Sequence, residues 1–136
     1  MKVKLLNGVL PTKSREGDAG FDLYAPYSTV LPPGERYQIK LGIAIEIGED
    51  EVALIQGRSG LALNQGITTI GNVIDSNYRG EISAIILNTS SRHVSIPQNS
   101  RVAQLLVLRL GQPGLEVVEE LTNSPRGDQG FGSSGL

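Results

Sequence analysis

Large aliphatic residues occupy every second position from 39 to 47, in the run IKLGIAIEI. Successive side chains of a strand point to opposite faces, so this run predicts one strand over 39–47. Ile39, Leu41, Ile43, Ile45 and Ile47 would then face a core. Pro32-Pro33-Gly34 turns the chain before it, and Gly48-Glu49-Asp50 turns it afterwards. Segments 52–56, 82–87, 94–96 and 101–110 are short, aliphatic and separated by turn residues, which predicts further strands. The opening run MKVKLLNGVLP reads as a first strand, because charges interrupt its apolar residues as no secretory signal would allow. Only 59–65, closed by Gly66, has the character of a helix. The pattern predicts an all-β fold, an antiparallel sandwich or barrel, with no internal repeat.

Composition narrows the picture. The 136 residues suit one domain with a true core, and 17 glycines and seven prolines favour turns over long helices. Residues 1–124 are expected to form a single β domain. The closing run SPRGDQGFGSSGL changes character, so 125–136 are expected to form a flexible C-terminal arm.

A net charge of −2 with scattered Lys and Arg argues against a protein that grips a nucleic-acid backbone. A small phosphorylated ligand needs only two or three placed cations and stays open. Cysteine is absent, which removes disulfides and thiolate chemistry. His93 is the sole histidine, so a zinc centre is not expected, and any metal should be a hard cation such as Mg2+. No segment is long and apolar enough to span a membrane, and a soluble, cytoplasmic (or host-cell interior) protein is the expectation.

Several polar clusters break the β pattern, and each has an ordinary explanation. Residues 18–25 can be a turn entering a strand, Ser59 an N-cap for the short helix, 74–80 a hairpin turn, and Gln104 a plain strand residue. Taken together they are the parts of a nucleoside triphosphate site. Arg58, Gln104 and Arg126 supply donors to phosphate, and glycine-rich backbone allows close approach of N–H groups. Phe131 offers a flat surface for a base, and Asp75 a carboxylate for a water nucleophile.

The segments DAGFDLYA (18–25), GRSGLAL (57–63), GNVIDSNYRGE (71–81), RVAQLLV (101–107) and RGDQGFGSSG (126–135) stand in the order of five signature segments of one family. On them the chain resembles the trimeric dUTPases. The resemblance implies a distorted jelly roll, a homotrimer, and active sites built from segments of more than one subunit. The implied reaction is hydrolysis of dUTP to dUMP and pyrophosphate, which keeps uracil out of DNA and supplies dUMP for dTMP synthesis. Asp75 would be the general base for water attack on the α-phosphorus. Arg58, Ser59, Gly60, Gln104, Arg126, Gly132, Ser133 and Ser134 would bind phosphates, Ser59 at the oxygen between the α- and β-phosphates. Asp22 would hold the water shell of Mg2+.

Tyr78 would pack against the sugar and leave no room for a 2′-hydroxyl, and Phe131 would close over the uracil. The main chain of a hairpin around Val73, Ile74 and Ser83 would read the base. Departures from the common pattern are Gly57 in place of proline, Asn72 in place of glycine, and Thr69 where many bacterial relatives carry a uracil-binding Asn. Thr69, Asn72 or main chain alone then makes the pyrimidine contact. Two alternatives share the scaffold: a dCTP-deaminating or bifunctional relative, and a nucleotide-responsive regulatory binding protein.

Overall fold

The computed structural model describes residues 1–130. Among these, eleven strands and one helix follow in the order β1 (Lys2–Leu5), β2 (Phe21–Tyr24), β3 (Thr29–Leu31), β4 (Arg36–Lys40), β5 (Ile43–Glu46), β6 (Glu51–Gln56), α1 (Ser59–Gln65), β7 (Ile67–Ile70), β8 (Val73–Ile74), β9 (Ser83–Asn88), β10 (Val94–Ile96) and β11 (Arg101–Arg109). All pairings are antiparallel. They form sheets β2-β11-β6-β8 and β4-β9-β7, with smaller pairs β1-β5 and β3-β10. The architecture is the all-β, distorted jelly roll that the sequence suggests. Leu23, Ile39, Leu41, Ile43, Ile55, Ile86 and Leu105 meet in one buried cluster between the sheets. Burying each such side chain is worth about 1.5–3 kcal/mol.

The single strand expected over 39–47 is two strands belonging to different sheets. β4 pairs with β9, whereas β5 pairs with β1. The break falls at Gly42, whose φ of 66° lies in the left-handed region that favours glycine and where a Cβ would collide with the Gly8 amide nitrogen. Its carbonyl accepts the amides of Leu6, Asn7 and Gly8, and its own amide donates to Glu81 Oε1. Nearly every residue from 39 to 47 is buried, so the alternation marks a chain passing through the core, not one flat strand.

At the helix, Ser59 is the first helical residue and not the cap. Arg58 takes the extended cap position with no side-chain hydrogen bond to the helix, and Gly66 (φ 68°) closes the other end as expected. The 74–80 turn is also no hairpin between paired neighbours. β8 joins β6, and β9 lies in the other sheet, so the turn carries the chain from one sheet to the next. Arg79 holds it by donating to the carbonyls of Ser76 and Tyr78.

Beyond β11 the residues 111–130 contain no strand or helix, and Leu115, Val117 and Leu121 stand fully or almost fully exposed. Among the described residues no helix is long and apolar enough to cross a membrane. At the N-terminal edge, Lys2 pairs with Glu46 and, through that hydrogen bond and its charge, holds the Glu46 carboxyl below the usual carboxylate range.

Candidate active site

Cross-strand register gathers three of the polar clusters at one end of the four-stranded sheet. Asp22 on β2 lies opposite Gln104 on β11, and Gln104 lies opposite Gln56, the last residue of β6. Gly57, Arg58 and Ser59 follow Gln56 directly and turn into α1. Gln104 secures this corner. Its Nε2 donates to the Gly57 carbonyl at 2.9 Å, and its side chain lies so close to Gly20 that a Cβ there would sit 2.8 Å from Oε1.

A register shift between Arg101 and Ala103 makes a β-bulge in β11. In regular alternation residues 101 and 104 would point to opposite faces. The extra residue brings both to the same face.

The outcome is an open cavity of about 770 Å³ whose lining includes Asp22, Arg58, Ser59, Gly60, Arg101 and Gln104. Arg58 Nε stands 3.1 Å from Asp22 Oδ1, with the Asp22 side chain 13% exposed. The cavity thus offers guanidinium, amide and hydroxyl donors around one largely buried carboxylate, which is the chemistry of a polyphosphate cradle. Among the described residues no group of three His, Cys, Asp or Glu side chains converges to cage a metal ion. A hard divalent cation therefore fits here only as an ion carried by phosphate oxygens, with Asp22 accepting hydrogen bonds from its waters.

The other expected residues lie elsewhere. Asp75 and Tyr78 occupy the exposed turn after β8, at the opposite edge of the same sheet. Three strand spacings and a three-residue offset along β6 separate Ile74 from Asp22, about 14 Å across and about 10 Å along. Tyr78 folds its ring onto Gly80 and donates its hydroxyl to the Glu81 carbonyl at 3.1 Å, with the residue as a whole 44% exposed.

Val73 is exposed, Ile74 is half-buried, and Ser83 on β9 accepts from Gln38 Nε2. The two candidates for the pyrimidine contact differ sharply. Thr69 is buried and its hydroxyl donates to the Ile55 carbonyl, whereas Asn72 Oδ1 is buried with no partner among the described residues. Arg126 is exposed, donates to the Gln129 carbonyl and does not line the cavity. Phe131, Gly132, Ser133 and Ser134 lie outside the described residues.

Arg101 and Ser14 had no expected role at the site, yet both bond to Asp22. Arg101 opens the fourth signature segment, which was its only signal. Ser14 carried none, since a loop serine eight residues from Asp22 has no pattern to betray it.

The dUTPase family model matches residues 7–135. A deoxyuridine 5'-triphosphate nucleotidohydrolase from Clostridioides difficile is 40% identical over 140 residues, covering 100% of this chain and 98% of the relative. The dUTPase of Staphylococcus bacteriophage 80alpha, solved with dUPNHPP, superposes with a TM-score of 0.93 at 30% identity, covering 99% of this chain and 98% of that one. A dUTPase from phage phi11 of S. aureus, solved to reveal coordination of a structural Mg(II) ion, has a TM-score of 0.84 at 25% identity, covering 90% of this chain and 98% of that one. With a family model spanning nearly the whole chain and this relative matched end to end, the protein belongs to the dUTPase family.

Proposed function

We propose that this chain hydrolyses dUTP to dUMP and pyrophosphate, removing a precursor of uracil in DNA and supplying dUMP for dTMP synthesis. The observation that carries the reading is the single cavity joining Asp22, Arg58, Ser59 and Gln104 in a member of this family. Arg58 and Gln104 bind phosphate oxygens there, joined by Arg126 and by Gly132, Ser133 and Ser134 from the arm. Ser59, with Gly60 beside it, donates to the oxygen linking the α- and β-phosphates, where charge develops as pyrophosphate leaves.

Asp75 accepts the proton of a water aligned on the α-phosphorus. Mg2+, when bound, neutralises charge on the phosphates, and Asp22 holds its waters. Tyr78 excludes ribose by occupying the space of a 2′-hydroxyl. Uracil is read by main chain near Val73, Ile74 and Ser83. Asn72, whose Oδ1 is unpartnered, suits the pyrimidine contact better than Thr69, whose hydroxyl is already engaged. Phe131 then covers the base, so that 1–124 act as the domain and 125–136 as its closing arm, working in the cytoplasm or host-cell interior.

The sheet geometry favours sites shared between copies, as a homotrimer would provide. Asp75 and Asp22 lie at opposite edges of one sheet, too far apart to act on one α-phosphate within a single chain. A neighbouring copy would present its 73–80 turn to this cavity. The exposed apolar residues of 115–121 are the kind that a neighbour buries.

The test is incubation with dUTP, dCTP, dTTP or UTP plus Mg2+, following pyrophosphate. Hydrolysis of dUTP should far exceed the other three. Ammonia release from dCTP at a comparable rate would overturn the reading in favour of a deaminase.

A further inference from the structure

The Asp22 carboxylate is held from two sides by unlike partners. On one side Arg58 Nε reaches Oδ1 at 3.1 Å. On the other, Arg101 Nη1 reaches Oδ2 at 3.3 Å, and the Ser14 hydroxyl donates to the same oxygen at 3.0 Å. Arg101 Nη1 also donates to Ser14 Oγ at 3.0 Å, closing a triangle that ties the 13–18 loop, β2 and β11 together. Arg58 has no such triangle. It sits on the link between β6 and α1, and its other bond is a long 3.4 Å contact to the Arg101 carbonyl.

Two guanidiniums share one carboxylate, so one positive charge is in excess. A phosphate offers an arginine two acceptor oxygens and more charge than a shared carboxylate does. Of the two arginines, Arg58 is the less tethered and therefore the one to exchange partners.

We propose that Arg101, with Ser14, is a positioning residue that holds Asp22 in place while Arg58 leaves it for phosphate, uncovering Oδ1 for the waters of a divalent cation only once nucleotide is present. This rests on the dUTP reading above. Until the exchange, two guanidiniums face the carboxylate and repel a free cation, so the cation's waters reach Asp22 only after the triphosphate has drawn Arg58 away. Without Arg101, Asp22 and Arg58 become each other's only charged partners, and Arg58 leaves less readily.

Calorimetric titration of dUPNHPP into the full chain, with and without Mg2+, tests this for the parent, Arg101→Gln and Ser14→Ala. Mg2+ should tighten binding to the parent. Arg101→Gln should cut that tightening about tenfold, a size usual for coupling between two ligands, and Ser14→Ala should cut it less. If Arg101 instead grips phosphate directly, its loss weakens binding equally with and without Mg2+. The tightening then stays at the parent value and the proposal is overturned. Should Arg101→Gln fail to fold, Ser14→Ala decides alone, an unchanged tightening again overturning the proposal. A parent that binds no dUPNHPP at all would instead overturn the functional reading on which this one stands.

Discussion

Asp75→Asn exchanges one carboxylate oxygen for an NH2 group of similar size, and that difference isolates the role of Asp75. It stands on an exposed turn, so Asp75→Asn should leave the fold and dUPNHPP binding nearly intact. Pyrophosphate release should fall by about 10²–10⁴-fold, because the amide cannot take a proton from water. A rate near the parent's in a quenched-flow assay would remove Asp75 from the base role.

Asn88 does not line the cavity but ties three backbone segments together. It is 0% exposed, and its Nδ2 lies 2.9, 3.1 and 2.8 Å from the carbonyls of Leu31, Pro32 and Arg92. Its Oδ1 accepts from the amide and hydroxyl of Ser90. Asn88→Ala would leave the buried Leu31 carbonyl unpaired and remove the part-buried bonds to Pro32, Ser90 and Arg92, at a cost of about 2–3 kcal/mol. The urea midpoint should fall by that free energy divided by the slope, with the slope itself unchanged, and a midpoint equal to the parent's would show that the groups find other partners.

At the scale of elements, two irregularities do what regular strands cannot. The bulge in β11 turns Arg101 and Gln104 to one face, and the break at Gly42 hands the chain from one sheet to another. The turn after β8 depends on a third feature, the bare Cα of Gly80. A Cβ there would overlap the Tyr78 hydroxyl and ring. Gly80→Ala should therefore swing the ring away and lower the preference for dUTP over UTP, in kcat/KM, by about tenfold, since the exclusion is steric. A preserved preference would mean that Tyr78 does not guard the sugar.

For the whole molecule, the decisive quantity is the separation between the two halves of the machinery. The proposed sharing of sites between subunits makes a sharp expectation for mixed assemblies. Arg58→Ala and Asp75→Asn chains, each inactive alone, should regain about a quarter of parent activity when unfolded and refolded together at equal amounts, because random assembly pairs an intact cavity with an intact turn that often. No recovery would place the whole site within one chain and require a large rearrangement of the sheet.

The sequence by itself determined the all-β class, the helix at 59–65 with its glycine end, most strands, and the family to which the chain belongs. Periodicity and turn residues act locally, so they survive in one dimension. It did not determine that 39–47 divides, that Ser59 enters the helix instead of capping it, or that 74–80 joins two sheets. Those outcomes depend on partners distant in the chain, such as Gly8 and Glu81 against Gly42. The grouping of Asp22, Arg58 and Gln104, and the clasp of Arg101 and Ser14 on Asp22, were decided only by tertiary structure. Strand register and a single bulge set which side chains share a face, and neither leaves a trace in the spacing of residues.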